Sequence, residues 1–283
     1  QSISALHFFD DPVPDIIVGS PFSANIVAFE GNVHVNGTPL DVSTDMFLSG
    51  TIEHGLLGWS VGNAGDLNDD GFDDVIAGAF GYDTFAPGQA HVYFGGLPPP
   101  PPPPWNRSTD DLTLTGPAVG DHFGISAAGA GDVNGDTYPD LIVGATYGQS
   151  GGPDPGQAFV YYGGPGMDSV ADVVLVGAAA FDFFGFSVST AGDVNNDGKD
   201  DVLVGAPYND AGGLDAGRAY VFFGGVTMDS LPDVVLTGAA AGDQFGFSVA
   251  SLGNLNPGVD SYAEIIVGAP NNDAAAANAG SAY

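Results

Sequence analysis

The sequence predicts an all-β protein in which one unit of about sixty residues is written several times. Two observations predict it. The stretches "GDLNDDGFDDVIAGAF" from Gly65, "GDVNGDTYPDLIVGAT" from Gly131 and "GDVNNDGKDDVLVGAP" from Gly192 are copies of one another, and Asp66, Asp132, Asp193 and Asn254 are separated by 66, 61 and 61 residues. Within each copy run four short apolar blocks, rich in β-branched and aromatic residues and bounded by Gly, Asp and Pro; none has the length or period of a helix.

The copy that contains Gly192 shows the blocks in order: "FGFSVSTAG", "DVLVGAP", "RAYVFFGG" and "DVVLTG". The second is continuously apolar, as a strand covered on both faces should be. Four antiparallel strands per unit, with units repeated around one core, predict a β-propeller of four-stranded blades. A stacked solenoid would bury the same faces, but sixty residues per coil is long for one. A worn copy, "GNLNPGVDSYAEIIVGAP", starts at Gly253 with two extra residues, and a cut one, "FDDPVPDIIVGSP", starts at Phe9. About five repeats follow, near 1–50, 51–116, 117–177, 178–238 and 239–283, the first and last incomplete. A chain beginning at Gln1 reads as a segment of something longer: either five blades close a ring, or further blades complete a larger one.

The long interval in the second repeat has a local cause, an insertion holding residues 98–104, seven consecutive prolines, followed by Trp105. Proline cannot donate to a strand ladder, so the run reads as an exposed polyproline II spur, roughly 20 Å long at 3.1 Å per residue. It is either a stiff surface loop or a docking site for a partner's aromatic groove.

Composition narrows the partners. Three basic residues, Arg107, Lys199 and Arg218, stand against 35 acidic ones, for a formal charge of -32. Such a surface repels phosphate backbones and anionic lipid, which argues against nucleic-acid binding. No apolar run reaches membrane-spanning length, so no direct membrane insertion is expected. Hydrophobic residues make up 44% of the chain, enough for a core, and the absence of cysteine excludes disulfides and thiolate metal sites.

Much of the acidity is concentrated in one recurring turn, D-x-N-x-D-G-x-x-D. It is filled by Asp66, Asn68, Asp70 and Asp74, by Asp132, Asn134, Asp136 and Asp140, and by Asp193, Asn195, Asp197 and Asp201. Alternating oxygen side chains in a tight turn point at one centre, and the backbone carbonyls of Phe72, Tyr138 and Lys199 at the seventh position can complete an oxygen shell. Hard oxygen ligands without His or Cys suit Ca²⁺. An EF-hand starts similarly but needs a bidentate Glu at position twelve, where this chain has Ala77, Val143 and Val204. Two carboxylates about 4 Å apart repel by roughly 4 kcal/mol at an effective dielectric near 20. Three such pairs per turn would consume most of a domain's net stability of about 5 to 15 kcal/mol, so a cation is expected in these three turns. In the second, Thr137 replaces the turn glycine. A fourth, weaker candidate is formed by Asn254, Asn256, Asp260 and Glu264. The first copy keeps Asp11 and Asp15 but offers His7 and Phe9 where ligands belong, so no intact site is expected there.

The pairs Phe123-Gly124, Phe184-Gly185 and Phe245-Gly246, with Leu57-Gly58 in the second unit, precede "GAP" or a close relative at Gly78, Gly144, Gly205 and Gly268. This pattern resembles the FG-GAP repeat of integrin α subunits and related secreted or cell-surface proteins, over essentially the whole chain. The resemblance implies one propeller blade per repeat, calcium in the hairpin turn between the first two strands of some blades, and a place outside the cell.

Three function classes follow. A calcium-stabilised extracellular binding or adhesion module for a protein or glycan partner is the first; a building block of a surface layer or filament, packing against copies of itself, is the second. A hydrolase or lyase is the weakest. The five histidines, His7, His34, His54, His91 and His122, belong to no motif, and no nucleophile elbow, zinc-protease motif or phosphate loop is present. Asp182 and Asp243 recur with the repeat, and the chain is read as no enzyme. Asn36 in "NGT" and Asn106 in "NRS" match the glycosylation sequon.

Overall fold

The computed structural model describes residues 3–6, 15–20, 25–29, 46–49, 56–81, 87–96, 105–107, 110–147, 154–274, 276 and 279–283. These residues form twenty β-strands in five sheets, with no helix among them. The first blade holds β1 (Ile3–Leu6), β2 (Asp15–Ser20), β3 (Asn25–Phe29) and β4 (Met46–Ser49). The second holds β5 (Ser60–Gly65), β6 (Asp74–Ala79), β7 (Pro87–Tyr93) and β9 (Leu112–Val119), with β8 (Trp105–Arg107) lying between the last two in the chain. β10 (Ser126–Gly131), β11 (Asp140–Ala145), β12 (Gln157–Tyr161) and β13 (Val173–Val176) make the third blade. The fourth contains β14 (Ser187–Gly192), β15 (Asp201–Ala206), β16 (Arg218–Phe222) and β17 (Val234–Thr237). In the fifth are β18 (Ser248–Gly253), β19 (Glu264–Ala269) and β20 (Ser281–Ala282). Within each blade consecutive strands pair antiparallel, as the four apolar blocks require.

The first strand of each blade is innermost, and its composition explains why. β10 reads "SAAGAG" and β5 "SVGNAG", so little side chain separates neighbouring inner strands. A Cβ on Gly62 would stand 3.1 Å from the Ala127 carbonyl oxygen of the next blade. The inner strands of the second to fifth blades end in a register shift at a glycine of positive φ, Gly65, Gly131, Gly192 and Gly253, which bends the chain into the turn.

The second strand is fully buried in β6, β11 and β15, as its continuous apolar run predicts. Apolar packing lies between blades rather than within them. One layer joins Ile76 and Val92 to Phe123 and Leu141, the next joins Ile142 and Val160 to Phe184 and Val204, and a third joins Leu203 and Val221 to Phe245 and Val267. A blade has two apolar faces and no core of its own, so the repeats must stack to be stable.

The FG and GAP motifs meet at these seams. The N–H of each FG glycine donates to the GAP-glycine carbonyl of its own blade, as Gly124 does to Gly144 and Gly185 to Gly205. The FG-glycine carbonyl accepts from a serine of the preceding blade: Ser60 Oγ to Gly124, Ser126 Oγ to Gly185 and Ser187 Oγ to Gly246, at 3.1, 2.8 and 2.9 Å. A Cβ on Gly78, Gly144 or Gly205 would collide with that carbonyl.

The insertion in the second repeat ends in a strand. The proline run at 98–104 lies outside the described residues, but Trp105, at its end, belongs to a strand: β8 pairs parallel with β4, Met46 opposite Trp105 and Leu48 opposite Arg107. β8 thereby supplies a ladder partner to the outer edge of the first blade. Asn106 sits in this strand, and Asn36 lies outside the described residues.

Candidate metal centres

The three acidic turns join the first two strands of the second, third and fourth blades, and adjacent turns touch, so they share one rim. Each is folded by its own side chains. In the first, Asp66 Oδ1 accepts from the Asp70 N–H at 3.0 Å and Oδ2 from the Gly71 N–H at 2.8 Å. Asn68 Oδ1 accepts from the Asp70 N–H, and Asp70 Oδ1 from the Phe72 N–H. Asp132, Asn134 and Asp136 repeat the pattern onto Asp136, Thr137 and Tyr138, and Asp193, Asn195 and Asp197 repeat it onto Asp197, Gly198 and Lys199. These are Asx turns, in which a short side chain replaces a backbone acceptor. The sixth residue takes positive φ, easily met by Gly71 and Gly198 but also imposed on Thr137 at 80°.

The ninth residue is different. Asp74, Asp140 and Asp201 are buried at 0% exposure. Asp74 Oδ2 accepts from the Leu67 N–H and Oδ1 from the Gly95 N–H, tying the turn to the end of the third strand; Asp140 does so with Val133 and Gly163, and Asp201 with Val194 and Gly224. Burial outweighs these amide bonds and, with the turn's other carboxylates, raises Asp74 and Asp140 to about 7 and Asp201 to about 6.

Among the described residues no three His, Cys, Asp or Glu side chains converge as a preformed metal cage. The first-, third- and fifth-position oxygens face the turn's own amides. The donor set nevertheless fits a hard divalent cation: three carboxylates, an amide oxygen and a main-chain carbonyl per turn, with no nitrogen or sulfur ligand. An oxygen bonded to one amide keeps a further lone pair.

The fourth copy is weaker in structure as in sequence. Glu264 takes the ninth-residue role, Oε2 accepting from the Leu255 N–H at 2.7 Å, but Asn254 Nδ2 is spent on the Asp260 carbonyl and the turn is exposed. In the first copy Asp15 opens β2, and Asp11, Phe9 and His7 lie outside the described residues.

Two sets of residues escaped the reading by motif, and the role of a third, the recurring Asp182 and Asp243 with Asp121, shows only in the structure. Asp121, Asp182 and Asp243 are buried and fold the turn before each FG pair: Asp182 Oδ2 accepts from the Ala179 N–H and from Asn209 Nδ2, and Asp243 Oδ2 from Ala240 and Asn272. The seam serines stand two residues after each FG glycine, a spacing visible in the sequence. The eighth turn residues, Asp73, Pro139, Asp200 and Ala263, differ in chemistry, so no pattern marks them.

Among the described residues the rim at the FG end carries none of the three D-x-N-x-D turns. There Trp59, Phe80, His122, Tyr147, Phe183 and Tyr208 form an unbroken edge-to-face row through three blades, with centroids 4.8 to 5.3 Å apart. In the fifth blade Gln244 and Asn271 continue it as a hydrogen-bonded pair.

Comparison with known families assigns the repeat. The FG-GAP repeat matches residues 123–161 and 184–222, which are the third and fourth blades from FG pair to third strand. The chain carries FG-GAP repeats. This FG-GAP chain is 35% identical to integrin alpha-5 of Xenopus laevis over 158 residues, covering 53% of the chain and 14% of that protein. It is 29% identical to integrin alpha-V of Gallus gallus over 233 residues, 78% of the chain and 21% of that protein. It is also 30% identical to the human phosphatidylinositol-glycan-specific phospholipase D over 232 residues, 76% of the chain and 26% of that protein. The FG-GAP chain thus spans about a quarter or less of these relatives. Integrin-like similarity and the blade geometry agree on an FG-GAP β-propeller. No helix of the described residues is long and apolar enough to cross a membrane.

Proposed function

We infer that residues 1–283 form one FG-GAP propeller segment that works outside the cell as a calcium-stabilised, non-catalytic binding module for a protein or glycan partner. The observation that carries the calcium reading is the threefold recurrence of one oxygen-only turn on one rim, each with a buried ninth-position aspartate. Asp66, Asn68, Asp70, Asp74 and the Phe72 carbonyl would hold one ion; the Asp132 and Asp193 turns would hold two more. An entering ion would use the lone pairs that the first, third and fifth side chains keep beside their amide bonds. It supplies the positive charge that a chain with three basic residues cannot provide. Relatives named as integrin α chains support adhesion-type binding and a cell-surface location. The aromatic row at the FG rim, which runs from exposed Trp59 to Tyr208, supports protein recognition there, since aromatic side chains are enriched at interfaces.

One observation favours self-association as a second reading. Among the described residues β13 and β17 end their sheets, and Val174, Val176, Val234 and Val235 on them are 37 to 51% exposed. Apolar sheet edges of this kind invite pairing with another chain. Light scattering across a hundredfold range of protein concentration separates the readings: a monomer throughout supports the module, a growing assembly the building block.

The calcium reading is tested by melting the protein in excess chelator and in 10 mM calcium, with calorimetric titration alongside. At a hundred times the dissociation constant each ion contributes about 2.7 kcal/mol. Three ions should therefore raise the melting temperature by about 10 °C or more. Superimposable melts and no heat of binding would refute it.

A further inference from the structure

The eighth turn residues Pro139, Asp200 and Ala263 face the preceding blade. Asp200 holds the Asp132 turn from both sides: its N–H donates to the Asp132 carbonyl at 3.0 Å, and its Oδ2 accepts from the Asp132 N–H at 2.9 Å. Gly131 makes room, since a Cβ there would collide with the Asp200 carboxylate. The stem of Lys199 lies across Gly135 of the same neighbouring turn, 3.3 Å from where a Cβ would stand. Both peptide groups flanking the Asp132 α-carbon are thereby fixed by the fourth blade.

Other junctions are built differently. Pro139 has neither an N–H nor a carboxylate, and packs its ring against Gly65. Ala263 donates its N–H to the Asp193 carbonyl at 2.9 Å but has no side-chain acceptor. Asp73 accepts from Asn63 Nδ2 within its own blade.

We propose that Asp200 is a positioning residue that couples two ion-binding turns, so that filling the Asp193 turn raises the affinity of the Asp132 turn. This rests on the calcium reading above. Asp200 lies between Lys199 and Asp201, whose carbonyl and carboxylate are the seventh and ninth donors of its own turn. An ion that gathers those two groups fixes the peptide between them and so fixes the clamp on Asp132. Linkage makes the effect mutual: the Asp132 ion must favour the Asp193 ion by the same factor.

The test is calorimetric titration of the full chain with calcium alone. Asp70→Ala disables the first turn and leaves the coupled pair, which should bind with positive cooperativity. Asp197→Ala should weaken the remaining Asp132 turn about fivefold or more, the scale of an ordinary allosteric coupling. Asp200→Ala in the Asp70→Ala background should abolish the cooperativity, and Asp200→Asn, whose amide oxygen still accepts from the Asp132 N–H, should restore it. A residue that merely supported the fold would lower the melting temperature of Asp200→Ala and leave the cooperativity in place. If Asp200→Ala fails to fold, the isotherm of Asp70→Ala and the affinity loss in Asp197→Ala decide the matter. Independent, equal binding by the two turns overturns the coupling and leaves the calcium reading standing, whereas no heat at any turn overturns both.

Discussion

Ser126 Oγ donates to the Gly185 carbonyl across 2.8 Å, from the inner strand of one blade to the FG turn of the next. The same oxygen lies where a Cβ on Gly144 would stand, so one acceptor explains both a serine and a glycine of the repeat. Ser126→Ala leaves a largely buried carbonyl without this donor and should cost about 1 to 2 kcal/mol. Gly144→Ala forces the blades apart and should cost roughly 3 kcal/mol. Urea unfolding of both variants checks the order; a milder Gly144→Ala would show that the seam yields.

Protonation should stabilise the calcium-free protein. Burial raises Asp74 and Asp140 to about 7 and Asp201 to about 6, from an ordinary 3.8. Between about pH 4 and 7 the folded state then holds more protons than the unfolded chain, and stability must fall as pH rises through that window. In chelator, the urea midpoint should be higher at pH 5 than at pH 7.5. Saturating calcium favours the ionised carboxylates and should flatten or invert that slope.

Thr137 occupies a turn position where its counterparts are Gly71 and Gly198, and its φ is 80°. A β-branched residue is strained there by about 1 kcal/mol or more. Thr137→Gly should therefore stabilise the protein by about 1 kcal/mol in chelator, despite glycine's greater freedom in the unfolded chain. Thr137→Val should recover none of it. Equal denaturation midpoints for Thr137→Gly and the parent would mean that the turn relaxes around the threonine.

What was legible in the sequence followed the repeat. The continuous apolar run in residues 202–206 marked a strand buried on both faces, and the spacing of Asp193, Asn195 and Asp197 marked a hairpin turn, because both depend on neighbours in the chain. Contacts between repeats left fainter marks. Ser126 looks like any strand serine until Gly185 is placed above it, and the bond from Asp132 to Asp200 joins residues 68 apart. The row from Trp59 to Tyr208 draws its rings from the ends of different strands in three blades, so no local window contains it. Trp105 shows the same limit: nothing in its neighbours along the chain says that it pairs with β4, and only tertiary pairing shows that cap.

That cap gives the last expectation. β4 is the outer strand of the first blade, and β8 supplies its partner from an insertion absent in the next two repeats. Between Gly96 and Gly116 the second repeat uses 20 positions, whereas 13 separate Gly164 from Gly177. Replacing residues 98–107 by a turn of the shorter length should leave the third and fourth blades intact, because their apolar layers lie one seam or more away. Without the ladder to Trp105 and Arg107, amides of Met46–Ser49 should exchange with solvent about tenfold faster or more, the cost of roughly 1.4 kcal/mol or more of local opening free energy. Hydrogen exchange read by mass spectrometry resolves these segments. Unchanged protection at Met46–Ser49 would show that the first blade keeps its edge without help from the second.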